Sequence, residues 1–310
     1  MKTPHIPVLL NEVLESFRNL DSGYFVDCTL GYAGHSSAIL EAHPNCQHIA
    51  IDRDQEALDF SLQRLSPYSS RVTLYKGTFS EVFPTLVEEP IKAVLADFGV
   101  SSLQLDKQER GFSFGSDILD MRMDTTATLS AYEVVNNYDR EALEYILDNY
   151  GEVRSYRKLA GAIIEARVKE PIASAKALSD IALSVLPKGG KIHPATLMFQ
   201  AIRIEVNNEL GEIEGLLDAL ERRKDKGAVV SLITFHSLED RLVKNRFKKW
   251  SLRCICDPQA IRCTCDRNNA LGKIINRKPI IATKEEMKKN PRSRSAKLRS
   301  FVFWDDGEAQ

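Results

Sequence analysis

The stretch Phe25-Val26-Asp27-Cys28-Thr29-Leu30-Gly31-Tyr32-Ala33-Gly34-His35-Ser36 constrains the fold of this chain more than any other. A β-type run ends on an acid, two glycines mark a tight turn, and a helical pattern takes over at Ser36. A second apolar run, Ile49-Ala50-Ile51-Asp52, also ends on an acid. Strand, glycine turn, helix and strand in that order predict a right-handed βαβ unit with a ligand beyond the carboxyl ends of its strands. The alternation continues. Short β-type runs at 25–29, 48–51, 72–75 and 93–97 are separated by helical patterns at 36–42 and 55–65, the latter with apolar Ala57, Leu58, Leu62 and Leu65.

After about Leu105 the pattern changes. Residues 130–186 carry helical periodicity with almost no strand signal, as in Ala142, Leu143, Ile146 and Leu147, where a helix is predicted behind Asp139 and up to Gly151. A helix over 207–223 presents Leu210, Ile213, Leu216, Leu217 and Leu220, followed by the strongest β run, 228–235, and a final strand at 301–304. The expected fold is α/β, a doubly wound and mostly parallel sheet built from 1–105 and 204–310, interrupted by an all-helical insertion over 106–203 on the substrate side. The 310 residues suffice for one large or two smaller domains. No apolar run reaches the roughly 18–20 residues that span a bilayer, and the first residues lack a leader pattern, so a cytoplasmic protein without a membrane partner is expected.

The turn Gly31-x-x-Gly34 is not the full dinucleotide signature G-x-G-x-x-G. Asp27, at the end of the first strand, is poorly suited to a nearby phosphate and well suited to an amino group or a sulfonium. S-adenosylmethionine offers both and has no phosphate, so the glycines would serve close backbone approach. Asp52 is the natural acceptor for ribose hydroxyls, and Asp97 ends a later strand that faces the same cleft. Three rivals stand beside this reading: a nicotinamide-dependent oxidoreductase, a non-catalytic RNA-binding ribosome-assembly factor, and a methyltransferase acting on DNA or protein.

Several segments carry a resemblance to a known family. They are His5-x-Pro7-Val8-Leu9-Leu10 with Glu12, Asp27-x-Thr29-x-Gly31-x-x-Gly34-His35-Ser36, Ile51-Asp52-Arg53-Asp54, Asp97-x-Gly99-Val100-Ser101-Ser102-x-Gln104, Arg110-Gly111-Phe112-Ser113-Phe114 and Leu119-Asp120-Met121-Arg122-Met123-Asp124. Later come His193-Pro194-Ala195-Thr196, Gln200-Ala201-x-Arg203, Phe235-His236-Ser237-Leu238-Glu239-Asp240-Arg241 and Asn290-Pro291-Arg292-Ser293-Arg294-Ser295-Ala296-Lys297-Leu298-Arg299. Across almost its whole length the chain resembles the bacterial RsmH (MraW) methyltransferases. The resemblance implies a class I, Rossmann-like core and S-adenosylmethionine-dependent methylation of the exocyclic N4 of a cytidine at the decoding centre of 16S ribosomal RNA, within the small subunit. It also implies cofactor contacts at Ala33, Gly34, His35, Asp52, Phe79, Asp97 and Gln104, beside Asp27 and Gly31. Ala33 departs from the pattern, which would have glycine there.

A cytosine N4 amine is a poor nucleophile because its lone pair is delocalised into the ring. The site must therefore align the reactants and help the amine lose a proton. Asp97-Phe98-Gly99 keeps the acid and aromatic that many amino-methyltransferases carry at this place, without their prolines. Asp97 is the first catalytic candidate, and His236, at a predicted helix start, is the second. Charge is segregated: residues 241–299 hold eighteen Lys and Arg against four Asp and Glu, in a chain whose formal net charge is −1. That polarity predicts an RNA-facing surface, with Arg241, Arg292, Arg294, Lys297 and Arg299 as phosphate contacts and Pro291-Arg292-Ser293-Arg294 as a non-helical segment. Cys254-x-Cys256 and Cys263-x-Cys265 have one residue within each pair, not the two to four usual for structural zinc, and no metal is assigned to them.

Overall fold

The computed structural model describes residues 6–86, 90–187, 193–257, 259, 262–265 and 267–305. The chain runs through α1 (Leu10–Ser16), β1 (Gly23–Asp27), α2 (Gly34–Ala42), β2 (Cys46–Asp52), α3 (Gln55–Arg64), β3 (Val72–Lys76), α4 (Phe79–Val82) and β4 (Ile91–Asp97). A helical stretch follows, with α5 (Ser102–Asp106), α6 (Ala131–Asn137), α7 (Arg140–Asn149), α8 (Tyr156–Lys169), α9 (Ala175–Val185) and α10 (Thr196–Asn207). The chain closes through α11 (Glu209–Arg223), β5 (Val229–Thr234), α12 (Ser237–Trp250), β6 (Gly272–Ile274), β7 (Ile280–Ile281), α13 (Lys284–Lys289) and β8 (Lys297–Phe303).

The sheet has the order β3-β2-β1-β4-β5-β8-β6, with β7 also paired to β8. The first five strands are parallel, and β8 lies antiparallel to β5. The 3-2-1-4-5 order reverses direction beside β1, which makes the crevice at the carboxyl ends of β1 and β4 the switch point of a doubly wound sheet. A sixth parallel strand would complete the second half of a dinucleotide fold. The antiparallel β8 stands in its place, which disfavours the nicotinamide reading.

Adjacent residues of the parallel strands face opposite sides, and both sides are covered, which is why these runs are continuously apolar. Val26, Val94, Ala96, Val230 and Leu232 pack with Ile213, Leu216, Leu217 and Leu220 of α11 and with Val243, Phe247 and Trp250 of α12. Phe25, Ala93, Leu95 and Ile233 face the other way, toward Val13 of α1, Phe17 and Ile39 of α2. Side-chain caps start the helices where the sequence offers them: Asp54 for α3, Thr78 for α4 and Asp139 for α7 each accept from a first-turn N–H.

The chain divides into two compact units, one of Met1–Gly99 with Gly211–Gln310 and one of Val100–Leu210. The second unit has its own core, including Leu143, Ile146, Leu147, Leu159, Ile163, Leu178, Met198 and Ile202. Its limits differ from 106 and 203, because α10 continues unbroken to Asn207. The helix expected over 207–223 is likewise divided. Asn208 adopts φ 48 and ends α10, a left-handed stop that asparagine tolerates, and α11 starts afresh at Glu209. Leu62, one of the apolar residues of α3, is 63% exposed. Pro291–Ser295 forms a 3-10 helix where a non-helical segment was expected, its proline at the first turn, which needs no N–H donor there.

Candidate active site

Three strands end on an acid at one edge of the sheet: β1 on Asp27, β2 on Asp52 and β4 on Asp97. β1 lies between β2 and β4, and its Asp27 is level with Ala50 on one side and Leu95 on the other. Asp52 and Asp97 therefore stand two residues further out. Two interstrand spacings, about 10 Å, separate their strands. The glycine turn fills the gap. Gly31, at φ 50, donates its N–H to Asp52 Oδ2 at 2.7 Å, and Asp54 N–H reaches Asp52 Oδ1 at 2.9 Å. Thr29 Oγ1 accepts the Asp97 N–H at 2.6 Å and so ties β1 to β4 across the switch point. Among the described residues a Cβ built on Gly31 would meet only the Thr29 carbonyl, at 4.0 Å, so this peptide borders space that a ligand can approach closely.

The three acids differ in use. Asp27 is buried and accepts from Thr29 N–H at 3.1 Å and from Ser36 Oγ at 2.6 Å. Ser36 in turn lies 2.9 Å from His48 Nε2. Because Ser36 donates to Asp27, the imidazole donates to Ser36, and burial holds His48 neutral by pushing its pKa down to about 3. This His48-Ser36-Asp27 chain was not singled out from the sequence. The serine nine residues after the acid is its only local signal. Desolvation pushes Asp27 and Asp52 up to about 6. Asp97 is pushed up to about 7, by desolvation and then by the Asp27 and Glu239 carboxylates, against the pull of a long 3.5 Å bond from Gly99 N–H. Gly99 is required here because a Cβ would strike the Phe235 ring at 2.7 Å.

An edge with open peptide at Gly31 and carboxylates lifted by burial and mutual repulsion gains stability from a ligand that brings positive charge and hydroxyl donors. S-adenosylmethionine has both, and these residues fit it. Asp52 and Asp97 are half-buried and stay within reach of a ligand, whereas Asp27 is buried and bonded inside the protein.

Other expected contacts have different surroundings. His35 points its Nε2 at the Val8 carbonyl, 2.9 Å away, and so ties its side chain to the 6–9 segment. Gly34 leaves room for Pro7, whose Cγ would lie 2.4 Å from a Cβ. Ala33 takes the left-handed φ 54 that glycine adopts without strain, at a cost of about 1–2 kcal/mol. Its methyl is buried among Leu30, Leu40, Ala50 and Leu58. The Phe79 ring belongs to the core and meets Phe98 at 5.8 Å. Gln104 lies in the second unit, where its Oε1 accepts from Ser101 N–H at 3.0 Å. His5 lies outside the described residues.

His236 is the N-cap of α12. Its Nδ1 accepts from Glu239 N–H at 3.5 Å, while Glu239 Oε2 accepts from Phe235 N–H at 2.7 Å and His236 N–H at 3.2 Å. This capping box with a fully buried Glu239 gives the imidazole a positioning task at the end of β5. The basic region is similarly reassigned in part. Arg299, 8% exposed, binds Asp240 through Nε at 2.7 Å, and Lys297 reaches the same carboxylate at 3.4 Å. Arg246 pairs with Asp218 at 2.6 Å and Lys249 with Glu221 at 2.9 Å, so acids of α11 neutralise cations of α12. The Ser293 hydroxyl is buried against the Asn290 carbonyl. Arg241 and Arg294 are exposed, as are Lys244 and Lys248, and Arg292 is half-buried. Among the described residues no helix is long and apolar enough to cross a membrane.

Comparisons with known proteins identify the family. Residues 2–303 match the MraW methylase family. The ribosomal RNA small subunit methyltransferase H of a Sulfurovum species is 72% identical over 99% of this chain and 100% of that one. Its counterpart in a Nitratiruptor species is 57% identical over 98% and 99%. A SAM-dependent O-methyltransferase of Thermotoga maritima is 8% identical with a TM-score of 0.41, over 99% of this chain and 70% of that structure, a likeness too distant to carry an argument. A match this continuous, over a sheet whose switch point gathers Asp52, Gly31 and Asp97, has one consequence: the chain belongs to the MraW methylase family.

Proposed function

We propose that this chain transfers the methyl group of S-adenosylmethionine to the exocyclic N4 of a cytidine in the decoding centre of 16S ribosomal RNA. The observation that supports this reading most is the Asp97 carboxyl, raised to about 7 at the outer end of β4 and, among the described residues, held by no bond shorter than that from Gly99. A general base works best when its pKa lies near the working pH.

When bound, S-adenosylmethionine supplies a methyl on a positively charged sulfur. Asp52, fixed by two backbone N–H groups, accepts the ribose hydroxyls. The bare peptide at Gly31 lets the nucleoside lie close. Asp97 would accept a hydrogen bond from the N4 amine, which localises the nitrogen lone pair, and would take the proton that the nitrogen loses as it gains the methyl and the carbon–sulfur bond breaks, the sulfur leaving as a neutral thioether. That proton then passes to water. Thr29 holds the β4 end in place through the Asp97 N–H, and Glu239 with His236 fixes the end of β5 beside it. The exposed Lys244, Lys248, Arg241 and Arg294 receive phosphates.

The test is methyl transfer from labelled cofactor onto small ribosomal subunits, naked 16S RNA and a duplex DNA of matched length, with the modified base mapped. Label at one cytidine N4 in either RNA substrate supports the proposal. Label on DNA or protein, or none on any RNA, overturns it.

A further inference from the structure

The loop 251–271 joins α12 to β6, and its described residues form no core of their own. Among its described residues none is buried, and Leu252 and Ile255 stand 41% and 62% exposed. Yet it is ordered around four sulfurs. Cys254 Sγ lies 3.6 Å from Cys263 and 3.6 Å from Cys265, Cys263 lies 3.6 Å from Cys265, and Cys256 lies 3.9 Å from Cys263. All four ligand atoms fall within 4.8 Å of one another.

These distances select among the states of four thiols. Disulfides would shorten two contacts to about 2.05 Å and leave the rest long. A tetrahedral zinc with Zn–S bonds of about 2.3 Å sets every sulfur edge at about 3.8 Å. The observed contacts cluster around that edge, with no short pair among them. The backbone is arranged to match. Ile255, between Cys254 and Cys256, donates its N–H to Cys265 Sγ at 3.4 Å, and Thr264, between Cys263 and Cys265, donates to Cys256 Sγ at 3.3 Å. Each C-x-C arm thus gives the N–H of its middle residue to a sulfur of the other arm, the outer-shell support that thiolate ligands require. Asn269 Nδ2 closes the frame on the Arg253 carbonyl at 3.1 Å and the Cys265 carbonyl at 2.8 Å. The Arg267 side chain bonds Cys263, a cation beside what becomes a doubly negative centre once four thiolates surround a dication.

We propose that Cys254, Cys256, Cys263 and Cys265 form a structural zinc site that substitutes for a hydrophobic core in the 251–271 loop. The one-residue spacing weighs against zinc only if each pair is considered alone. Binding releases the thiol protons and involves no redox change.

The full chain, purified under reducing conditions without chelator, should contain about one zinc per chain by elemental analysis. Cobalt in its place should give thiolate-to-metal charge transfer and tetrahedral d–d bands. Thiol titration of the native protein should find the four loop cysteines protected and should expose them on addition of a strong chelator, while the buried Cys28 and Cys46 stay silent in both states. A Cys254→Ser/Cys263→Ser variant should lose the metal. If that variant misfolds, the wild-type titration with and without chelator still decides. Iron in place of zinc, two disulfides by mass, or four freely reactive thiols in metal-free protein would each overturn the proposal.

Discussion

Replacing Asp97 by asparagine preserves the size of the side chain and one acceptor oxygen but removes the group that takes a proton. Burial and the nearby Asp27 and Glu239 carboxylates lift Asp97 from 3.8 to about 7. At pH 7.5 about three-quarters of it is ionised, and at pH 6 about one-tenth. If the ionised form accepts the amine proton, wild-type kcat/KM falls about eightfold between those values. Asp27 and Asp52, raised to about 6, steepen the fall below that pH. The Asp97→Asn variant should lose about 10²- to 10⁴-fold in rate, as removal of a general base does, together with the inflection near 7. Initial rates of labelled methyl transfer from pH 5.5 to 8.5 give the profile. Calorimetric affinity for S-adenosylmethionine at each pH separates binding from chemistry. A variant within about threefold of wild type that keeps the same inflection would refute the reasoning.

Without cofactor, the same acids make the fold more stable at mildly acidic pH. A carboxyl raised on folding binds more protons in the native state, so stability falls as pH rises toward its folded value; for Asp97 alone the loss from pH 5.5 to 8 is about 2 kcal/mol, measurable by urea unfolding. Glu239→Ala should cost about 2–4 kcal/mol because it strands the Phe235 and His236 N–H groups, whereas His236→Ala removes a cap and should cost about 1 kcal/mol. A His236→Ala protein that is stable, binds cofactor and yet has no activity would return the imidazole to a direct catalytic part. Arg299→Ala should destabilise by about 1.5–3 kcal/mol by leaving the half-buried Asp240 with Lys297 alone, at 3.4 Å, while Arg294→Ala should leave stability unchanged and lower the salt slope of RNA binding by about one. Equal effects on stability from the two arginines would contradict the assignment of interior and exterior charge.

Ionic partners separate the sequence reading from the structure most clearly. Eighteen cations in 241–299 look like one RNA-facing field, yet Arg246, Lys249, Lys297 and Arg299 are matched by Asp218, Glu221 and Asp240. Asp218 and Glu221 lie on α11, outside that stretch, and composition within the stretch cannot reveal them. The family resemblance implies ligand contacts at His35 and Gly34, beside the glycine turn. Their partners, Val8 and Pro7, come from the segment that packs over it.

What the sequence alone determined is local or periodic. The strand ending on Asp27, the turn at Gly31, the second strand ending on Asp52 and the cap at Asp139 follow from residue types over a few positions, as does the alternation that orders the first four strands. Only the tertiary structure decided which acids remain available, since Asp27 is occupied by Thr29 and Ser36 while Asp97 is left weakly held. It alone placed β8 antiparallel beside β5 and brought two C-x-C pairs to one centre. The physical reason is that desolvation, charge pairing and metal geometry depend on what surrounds a group in space, and most of those neighbours lie far away along the chain.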